Sequence, residues 1–445
     1  MADDFPRATV PTATHTPAAQ RISGPRFGVN YTPREGWFHH WLDLDLDSVR
    51  ADLTAIAELG LDHIRLFPLW PILQPNRTLI RSAALDQVRS VVDAAAEVGL
   101  DATVDALQGH LSSFDFVPSW LTTWHRRNMF SDTEVVTSTA ELVRRLTERL
   151  ADAPNFLGTT LGNEINQFSG DPHPDPDRVS VAGAEQWTRT MLSACREAHP
   201  EGLHTLASYD AAWHLDAHPF TPTHSAQLGD ATVVHSWVFN GTAQRYGARS
   251  FETSHHAEYF LELARGFQTD PSRPVWLQEV GAPLNVLDID DVPGFIHDTV
   301  TTSLDCTNLW GITWWCSHDV STDLADFPPL EHTLGLFDAN GKVKESGRVF
   351  GELAAAFSTP AGEASRVTPA PRTEVLDLEI GTGELPLRAQ CAPGGAFFER
   401  WMQAAKDGAR PAVRAVRRDP SDADCTRREA IQVAATGGAA ATRAG

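Results

Sequence analysis

The sequence has few cysteines for its length of 445 residues, and none of them stands in a metal-binding or disulfide-framing pattern. The five cysteines are odd in number, widely separated and without a CxxC pair: Cys195, Cys306, Cys316, Cys391 and Cys425. This pattern excludes a disulfide-rich scaffold and a thiolate zinc site, and it is typical of reduced thiols. We therefore expect a cytoplasmic protein.

Long apolar runs, a secretion signal and an excess of basic residues are also missing. No stretch approaches the roughly 18 apolar residues that a membrane-spanning helix needs. Residues 1–6 contain neither a basic nor an apolar segment, so no export signal is expected. The formal net charge of −22 argues against a nucleic-acid surface and against binding to anionic membranes. These absences favour a small neutral ligand as the partner.

Metal and cofactor motifs are absent as well. Asp43, Asp45 and Asp47 have the spacing of calcium-loop ligands. However, Ser48 and Thr54 occupy the positions where such a loop needs glycine and glutamate. Neither a GxGxxG fingerprint nor a Walker sequence follows the first predicted strand, which disfavours a nucleotide-binding sheet. We predict no metal and no cofactor.

What the chain does have is a regular alternation of short apolar runs and longer amphipathic segments. The predicted strands are 26–30, 63–67, 102–106, 156–161, 204–208, 232–236, 275–278 and 309–314. The predicted helices are 48–59 (with Asp47 as its N-cap), 83–98, 133–150, 182–198, 255–267, 292–303 and 347–357. Eight strands alternating with helices predict a parallel sheet, most economically a closed (β/α)8 TIM barrel.

Composition divides the chain into four parts. Residues 1–24 are rich in Ala, Thr and Pro and are predicted to be a disordered leader. The catalytic barrel is placed at 25–358, followed by a Pro- and Gly-containing linker at 359–372. Residues 373–445 are predicted to form a small C-terminal accessory β-rich domain with a flexible tail, whose function the sequence does not indicate.

Two of the predicted strands end in a glutamate. Glu164 follows the strand at 156–161, and Glu279 follows the strand at 275–278. Because the carboxyl ends of barrel strands meet at one mouth, these two carboxylates are expected to be neighbours. Paired carboxylates are the chemistry of glycoside hydrolysis. Thirteen tryptophans against four tyrosines fit this prediction, since indoles offer flat apolar faces to sugar rings.

Further polar and aromatic residues stand at the same strand ends: Arg65, His110, Asn163, His235, Trp237 and Trp315. Taken in order, this set resembles the conserved residues of glycoside hydrolase family 5, over roughly residues 26–358. The resemblance implies a retaining mechanism, with Glu164 as the acid/base and Glu279 as the nucleophile. We expect the charge of Glu279 to hold up the pKa of Glu164, and Arg65 to keep Glu279 ionised.

The resemblance also implies the roles of the remaining residues. Asn163 contacts the sugar 2-hydroxyl, and Trp315 is the platform under the ring. His110 and His235 hold hydroxyls or the two carboxylates. Trp237 is a departure, because the family usually has a tyrosine there that contacts the nucleophile.

Two loop sequences are similar to those of the bacterial intracellular β-mannosidases of this family. They are the run from Gly28 to Phe38, and the run from Phe67 to Thr78. This similarity implies a retaining exo-β-mannosidase that acts on Man-β-1,4-GlcNAc, the disaccharide left by N-glycan breakdown. A homo-oligomer is compatible with exo action, since a neighbour's loop could close the pocket.

Two alternatives stay open from the sequence. One is an endo-β-1,4-mannanase or β-glucanase of the same family, because selection between mannose and glucose depends on pocket geometry. The other is a non-catalytic carbohydrate-binding barrel. The presence of both Glu164 and Glu279 disfavours this second alternative.

Overall fold

A computed structural model describes residues 25–359, 365–381 and 388–417. The strands are β1 (Arg26–Asn30), β2 (His63–Leu66), β3 (Asp101–Asp105), β4 (His110–Leu111), β5 (Phe114–Asp115), β6 (Phe156–Thr160), β7 (Thr232–Ser236), β8 (Val275–Val280), β9 (Leu309–Trp314), β10 (Glu374–Ile380) and β11 (Pro411–Arg417). The predicted leader, 1–24, lies outside the described residues, as does the predicted flexible tail beyond residue 417.

The helices surround and connect these strands. They are α1 (Leu46–Glu58), α2 (Trp70–Leu73), α3 (Ser82–Glu97), α4 (Thr133–Leu150), α5 (Val181–Ala198), α6 (Ala211–His214), α7 (Pro222–Gln227), α8 (Thr242–Tyr246), α9 (Phe251–Ser254), α10 (His256–Gly266), α11 (Val292–Ser303), α12 (Glu345–Phe357) and α13 (Ala396–Lys406). The long helices begin and end within a turn of their predicted bounds. Asp47 is not the N-cap of the first helix, because Asp45 accepts hydrogen bonds from the backbone N–H groups of Asp47 and Ser48.

The barrel sheet runs in the order β6-β3-β2-β1-β9-β8-β7, and every pair is parallel. Its strands are buried along their length, as expected when helices cover the outside and side chains fill the inside. Together with the helices that follow the strands, the sheet forms the predicted (β/α)8 barrel. No helix in the described ranges is both long and apolar enough to cross a membrane.

The strand predicted at 204–208 is reduced to a short stretch of pairing. Thr205 bridges Thr160 of β6, and its backbone is bonded to Thr159 and Leu161. On the other side, the carbonyl of His204 accepts a bond from Asp230, just before β7. The segment therefore takes the place of the fifth barrel strand without forming a regular ladder. Residues 209–230 then form a loop with the short helices α6 and α7.

The C-terminal residues form a β-α-β unit that packs on the barrel. β10 and β11 pair in parallel along their whole length, with α13 as the connection between them. Phe398 and Trp401 of α13 contact Tyr259 of α10. Arg388 donates to the carbonyl oxygens of Ala212, Asp216, His218 and Phe220, so this unit also holds the loop that follows the fifth strand position.

Candidate active site

A cavity of about 260 Å³ opens at the carboxyl ends of the barrel strands. Its lining contains His110, Ser112, Ser113, Asn163, Glu164, Gln167, Tyr209, Trp237, Phe239, Asn240, Glu279, Trp315, Pro328, Leu330 and Glu331. Six of the eight predicted site residues are in this set, and Arg65 and His235 lie beneath it in contact with its carboxylates. The structure therefore brings all eight predicted residues to one place.

Arg65 ties the strand ends together under the cavity. Its Nε and Nη2 donate to the two oxygens of Asp105, at 2.8 and 2.7 Å. Nη1 donates to Oε1 of Glu279 at 2.7 Å, and Nη2 to Oδ1 of Asn163 at 2.9 Å. Arg65 is completely buried, and these hydrogen bonds hold its planar guanidinium group in a single arrangement. It fixes both Asn163 and Glu279.

Glu164 reaches the cavity through an unusual backbone conformation. Its φ of 47° lies in the left-handed region, at the start of a 3-10 turn. Such strain in a non-glycine residue often marks a functional position. The preceding Gly162 is required by space, since a Cβ there would come within 2.3 Å of the carbonyl oxygen of Leu107. The turn aims the Glu164 carboxylate at the barrel axis.

A bulge in β8 presents two consecutive side chains to the barrel interior. Val234 pairs with Leu277, but the next residue, His235, pairs with Glu279, so Gln278 is the extra residue. Gln278 bonds to His235 at 3.2 Å and Glu279 bonds to Arg65 at 2.7 Å. Without the bulge, alternation would point one of the two outward.

His235 lies between the two glutamates. Its Nδ1 is 2.9 Å from Oε1 of Glu164 and 3.3 Å from Oε2 of Glu279. Its Nε2 is 3.2 Å from the amide oxygen of Gln278. Because that oxygen can only accept, Nε2 carries a hydrogen. With its hydrogen on Nε2, a neutral imidazole has only an acceptor at Nδ1, and the carboxylate of Glu164 is also an acceptor. Their 2.9 Å contact therefore needs a second proton, which Nδ1 and Oε1 of Glu164 share.

The charges around His235 change the expected order of the pKa values. Burial lowers the pKa of His235, but Glu279 and Glu164 outweigh burial and raise it. Burial raises the pKa of Glu164, but the hydrogen bond and charge of His235 bring it below the ordinary value. Burial and the charge of Glu164 raise the pKa of Glu279, against the opposing effects of His235 and Arg65. Our expectation of a raised pKa for Glu164 was therefore wrong for the free enzyme, because it left out His235.

The two predicted tryptophans lie on the cavity wall. The indole N–H of Trp237 donates to Oε2 of Glu279 at 3.2 Å, so an indole supplies the contact that a tyrosine was expected to supply. Trp315 lines the cavity, whereas Trp314 points away and packs against Phe350. Strand alternation explains why only one of these two neighbours can face the cavity.

His110 lines the cavity but touches neither glutamate. Its Nδ1 bonds to Asp115 at 2.9 Å, and its backbone oxygen accepts from Asn163 at 3.2 Å. Of the two predicted functions of His110, holding a sugar hydroxyl fits this position, and holding the carboxylate of Glu164 or Glu279 does not.

Several site residues were missed from the sequence. Asn30 and Asp105 end β1 and β3, so the strand-end argument could have found them. Gln167, which donates to Oε2 of Glu164 at 2.6 Å, follows that residue in the same turn. Tyr209 directly follows the predicted strand at 204–208, so the same argument could have found it. Asn240 and Glu331 come from loops, and no spacing or periodicity in the sequence marked them.

One group of side chains has the composition of a metal site. Glu164, His235 and Glu279 each offer a ligand atom, and these atoms lie within 4.8 Å of one another; it is the only such group among the residues described here. Arg65 and the shared proton of His235 already provide positive charge at this position. A divalent cation would have to compete with both. The donor set therefore does not favour a metal.

The same distance describes the pair of carboxylates. One oxygen of Glu164 and one of Glu279 lie within 4.8 Å, at the carboxyl ends of the fourth and seventh barrel strands. A (β/α)8 barrel with two such carboxylates in a tryptophan-lined cavity has the architecture of a retaining glycoside hydrolase.

Comparison with known proteins identifies the family. The chain matches no protein-family model, and no curated protein sequence is significantly similar to it. Among solved structures, a family 5 subfamily 18 glycoside hydrolase of Streptomyces cattleya, crystallised as a glutamate-to-alanine variant with Manβ1-4GlcNAc, is 57% identical. The match covers 88% of this chain and 94% of that chain, with a TM-score of 0.85.

Two further structures extend the comparison. A subfamily 18 enzyme of Bifidobacterium longum subsp. longum, also in complex with Manβ1-4GlcNAc, is 49% identical over 88% of this chain and 91% of that chain, with a TM-score of 0.84. An exo-β-1,4-mannosidase of an Opitutaceae bacterium is 22% identical over 93% of this chain and 74% of that chain, with a TM-score of 0.71, which is a likeness of fold. The chain belongs to subfamily 18 of glycoside hydrolase family 5.

Proposed function

We propose that the protein is a retaining exo-β-mannosidase that hydrolyses short β-1,4-mannosides such as Man-β-1,4-GlcNAc. The observation that carries this proposal is its 57% identity, over 88% of this chain, to an enzyme crystallised with Manβ1-4GlcNAc. The geometry of the cavity agrees with the chemistry that such a substrate requires.

In the first step, the ionised Glu279 attacks the anomeric carbon while Glu164 protonates the departing oxygen. The closest approach of their oxygens, within 4.8 Å, supports this assignment, because retaining enzymes hold the two carboxyl groups about 5–5.5 Å apart. Arg65 and Trp237 each donate a hydrogen bond to Glu279. Both bonds favour the carboxylate form that the attack needs.

His235 supplies the proton that Glu164 must deliver. In the free enzyme this proton is shared across the 2.9 Å contact between Nδ1 and Oε1 of Glu164. Attack by Glu279 converts a carboxylate into a neutral ester, which removes one of the two negative charges that hold the proton on His235. Transfer to Glu164 and on to the leaving oxygen then becomes easier.

In the second step, Glu164 takes a proton from water, and the water oxygen attacks the anomeric carbon and releases Glu279. Asn163, held by Arg65 and by the carbonyl of His110, is placed to bond the sugar 2-hydroxyl. Contacts to that hydroxyl strengthen in the transition state. Trp315 offers the apolar face on which the ring lies.

We also propose a cytoplasmic location and a role in N-glycan degradation. Four of the cysteines lie in the described ranges, and all four are buried free thiols, which suits a reducing compartment.

The parts 25–358, 359–372 and 373–445 remain a proposed division into barrel, linker and accessory unit. Once the predicted leader and tail have been trimmed, limited proteolysis should cut next within 359–372, and a cut inside the barrel before that one would contradict this division.

The test of function is hydrolysis of Man-β-1,4-GlcNAc followed by proton NMR. We expect the β-anomer of mannose to form first and to mutarotate later, as retention requires. Initial formation of the α-anomer would contradict the retaining mechanism. If no mannose is released although the protein is folded, the proposed substrate is wrong.

Product analysis separates the alternatives. On mannohexaose, an exo enzyme releases only mannose at early times, whereas an endo-mannanase releases oligomers. A β-glucanase would prefer p-nitrophenyl β-glucoside to the β-mannoside. A non-catalytic binding barrel would hydrolyse neither, and its Glu279→Ala variant would behave like the wild type.

A further inference from the structure

The cavity has two sides that face opposite ends of a bound glycoside. Gln167, which donates to Glu164, lies on one side, and Tyr209 lies there too, since its backbone is hydrogen-bonded to Asn166 beside Gln167. Because the acid protonates the departing oxygen, the leaving group lies on this side. The glycone, over Trp315, must then extend toward the opposite side. Glu331 lies on that opposite side, in the loop whose residues Pro328 and Leu330 also line the cavity, and its carboxyl interacts with the side chain of Trp315.

The opposite side is closed by a packed wall. The hairpin formed by β4 and β5 meets the loop at 327–332 through four aromatic side chains. Trp37 contacts Phe114, Phe116 and Phe327, with ring centroids 5.6, 5.7 and 4.7 Å away. Phe114 also packs on Phe327 at 4.8 Å. A cluster of this kind holds the wall rigidly across the end of the cleft.

Two polar side chains face the cavity from this wall. Glu331 lines the cavity with only 8% of its surface exposed. Burial and the charge of Glu279 raise its pKa to about 7, although the side chains of Ser112 and Trp315 favour ionisation. Ser112, at the hairpin tip, also lines the cavity, and its buried hydroxyl has no hydrogen bond of good geometry. Buried polar groups of this kind need partners, and a ligand hydroxyl would supply one.

We propose that the carboxylate of Glu331, assisted by the hydroxyl of Ser112, binds the 4-hydroxyl of the glycone and so selects the non-reducing chain end. The 4-hydroxyl is the position at which a β-1,4-linked chain continues. A carboxylate that accepts its hydrogen, backed by a rigid wall, leaves no space for a further sugar. The inference rests on the proposed function, which it deepens by naming a residue that determines exo action.

The test combines an isosteric variant with a substrate that lacks one hydroxyl. Glu331→Gln and the wild type are compared on p-nitrophenyl β-mannoside and on its 4-deoxy and 6-deoxy analogues. For the wild type, we expect the 4-deoxy change to lower kcat/KM roughly tenfold to hundredfold, the size of a lost hydrogen bond to a charged group. Glu331→Gln should show a similar loss on the parent substrate and little further loss on the 4-deoxy analogue.

Controls separate recognition from folding. Asp323→Asn changes an exposed carboxylate in the same connection between β9 and α12 as Glu331 and should leave kcat/KM unchanged on every substrate. Ser112→Ala should show a smaller version of the Glu331 pattern. Equal loss on going to the 4-deoxy analogue in wild type and Glu331→Gln would overturn the inference, as would wild-type kcat/KM in Glu331→Gln.

The experiment also distinguishes this inference from the proposed function. If the wild type does not hydrolyse β-mannosides, the proposed substrate fails. The same comparison can then use β-glucosides, whose 4-hydroxyl has the same configuration. Coupling between Glu331 and the 4-hydroxyl on that series would support the inference independently, and its absence would overturn it.

Discussion

The indole N–H of Trp237 donates a hydrogen bond to Oε2 of Glu279 across 3.2 Å, on the opposite carboxylate oxygen from Arg65. The two donors thus hold the carboxylate from both ends. A tyrosine was expected to make this contact. The departure at Trp237 therefore changes the identity of the donor and preserves its function.

Removing that donor should weaken the nucleophile. We expect Trp237→Phe to lower kcat roughly tenfold to hundredfold, since a hydrogen bond to a charged group is lost. The same loss raises the pKa of Glu279, because a donor favours the carboxylate. The acidic limb of the kcat/KM profile should therefore move to higher pH. Trp237→Tyr, which retains a donor, is the control, and an unmoved limb in Trp237→Phe would contradict this account.

Azide should distinguish the two glutamates by product stereochemistry. Glu164→Ala can still form the glycosyl-enzyme from an activated aryl glycoside, and azide then attacks it to give the β-glycosyl azide. Glu279→Ala has lost the nucleophile, so azide attacks directly and gives the α-glycosyl azide. Proton NMR of the products distinguishes the α-glycosyl azide from the β-glycosyl azide. Exchanged anomers would reverse the two roles, and full activity without azide in either variant would remove that residue from the mechanism.

Arg65→Lys should damage both stability and catalysis. A lysine has no planar guanidinium group and cannot donate hydrogen bonds to Asp105, Asn163 and Glu279 together. We expect kcat/KM to fall at least about a hundredfold, and the free energy of unfolding in urea to fall by about 3–5 kcal/mol, the cost of breaking a buried ion pair.

An exposed pair provides the matched control for Arg65→Lys. Arg144 bonds Glu141 on the surface of α4, and such pairs contribute about 0–1 kcal/mol. Arg144→Lys should therefore leave activity and stability nearly unchanged. If both arginine variants lost the same stability, the loss could not be assigned to the buried network.

Asp210 should make the protein less stable as pH rises. Burial and the charges of Glu164 and Glu279 raise its pKa to about 7, against the opposing effects of Asn240 and His235. The folded state therefore binds more protons than the unfolded state between about pH 4 and pH 7, and stability falls with pH across that window. Asp210→Asn should flatten this dependence in urea unfolding series at pH 5, 6, 7 and 8.

Glu331 has a pKa of about 7 for a similar reason, so Glu331→Gln should remove a second part of the slope. If the slope were the same in Asp210→Asn and the wild type, Asp210 would have to titrate at its ordinary pKa.

The sequence was most informative where the chain obeys simple periodicity. Apolar runs located the barrel strands, and the meeting of their carboxyl ends brought Glu164, Glu279 and Arg65 together in one prediction. The sequence is less informative where strand pairing is irregular. The strand at 204–208 has strand composition, but pairing with β6 is limited to a single bridge at Thr205.

Contacts made by loops were beyond sequence reasoning. Glu331 enters the cavity because Trp37 and Phe327 pack together from distant parts of the chain, and no local pattern encodes that approach. The pKa values of Glu164 and Glu279 depend in the same way on three-dimensional proximity. The position of His235 was predicted, but its place between the two carboxylates, and with it the location of the proton, needed the geometry.

The four carbonyl oxygens that Arg388 holds have a practical consequence for shortening the chain. A truncated chain that ends after α12 would lack Arg388. The carbonyl oxygens of Ala212, Asp216, His218 and Phe220 would then lose their shared donor. These residues belong to the loop that begins at Tyr209, which itself lines the cavity. The barrel is therefore not a detachable module: the loop that begins at Tyr209 is held by a side chain that comes after the barrel in the sequence.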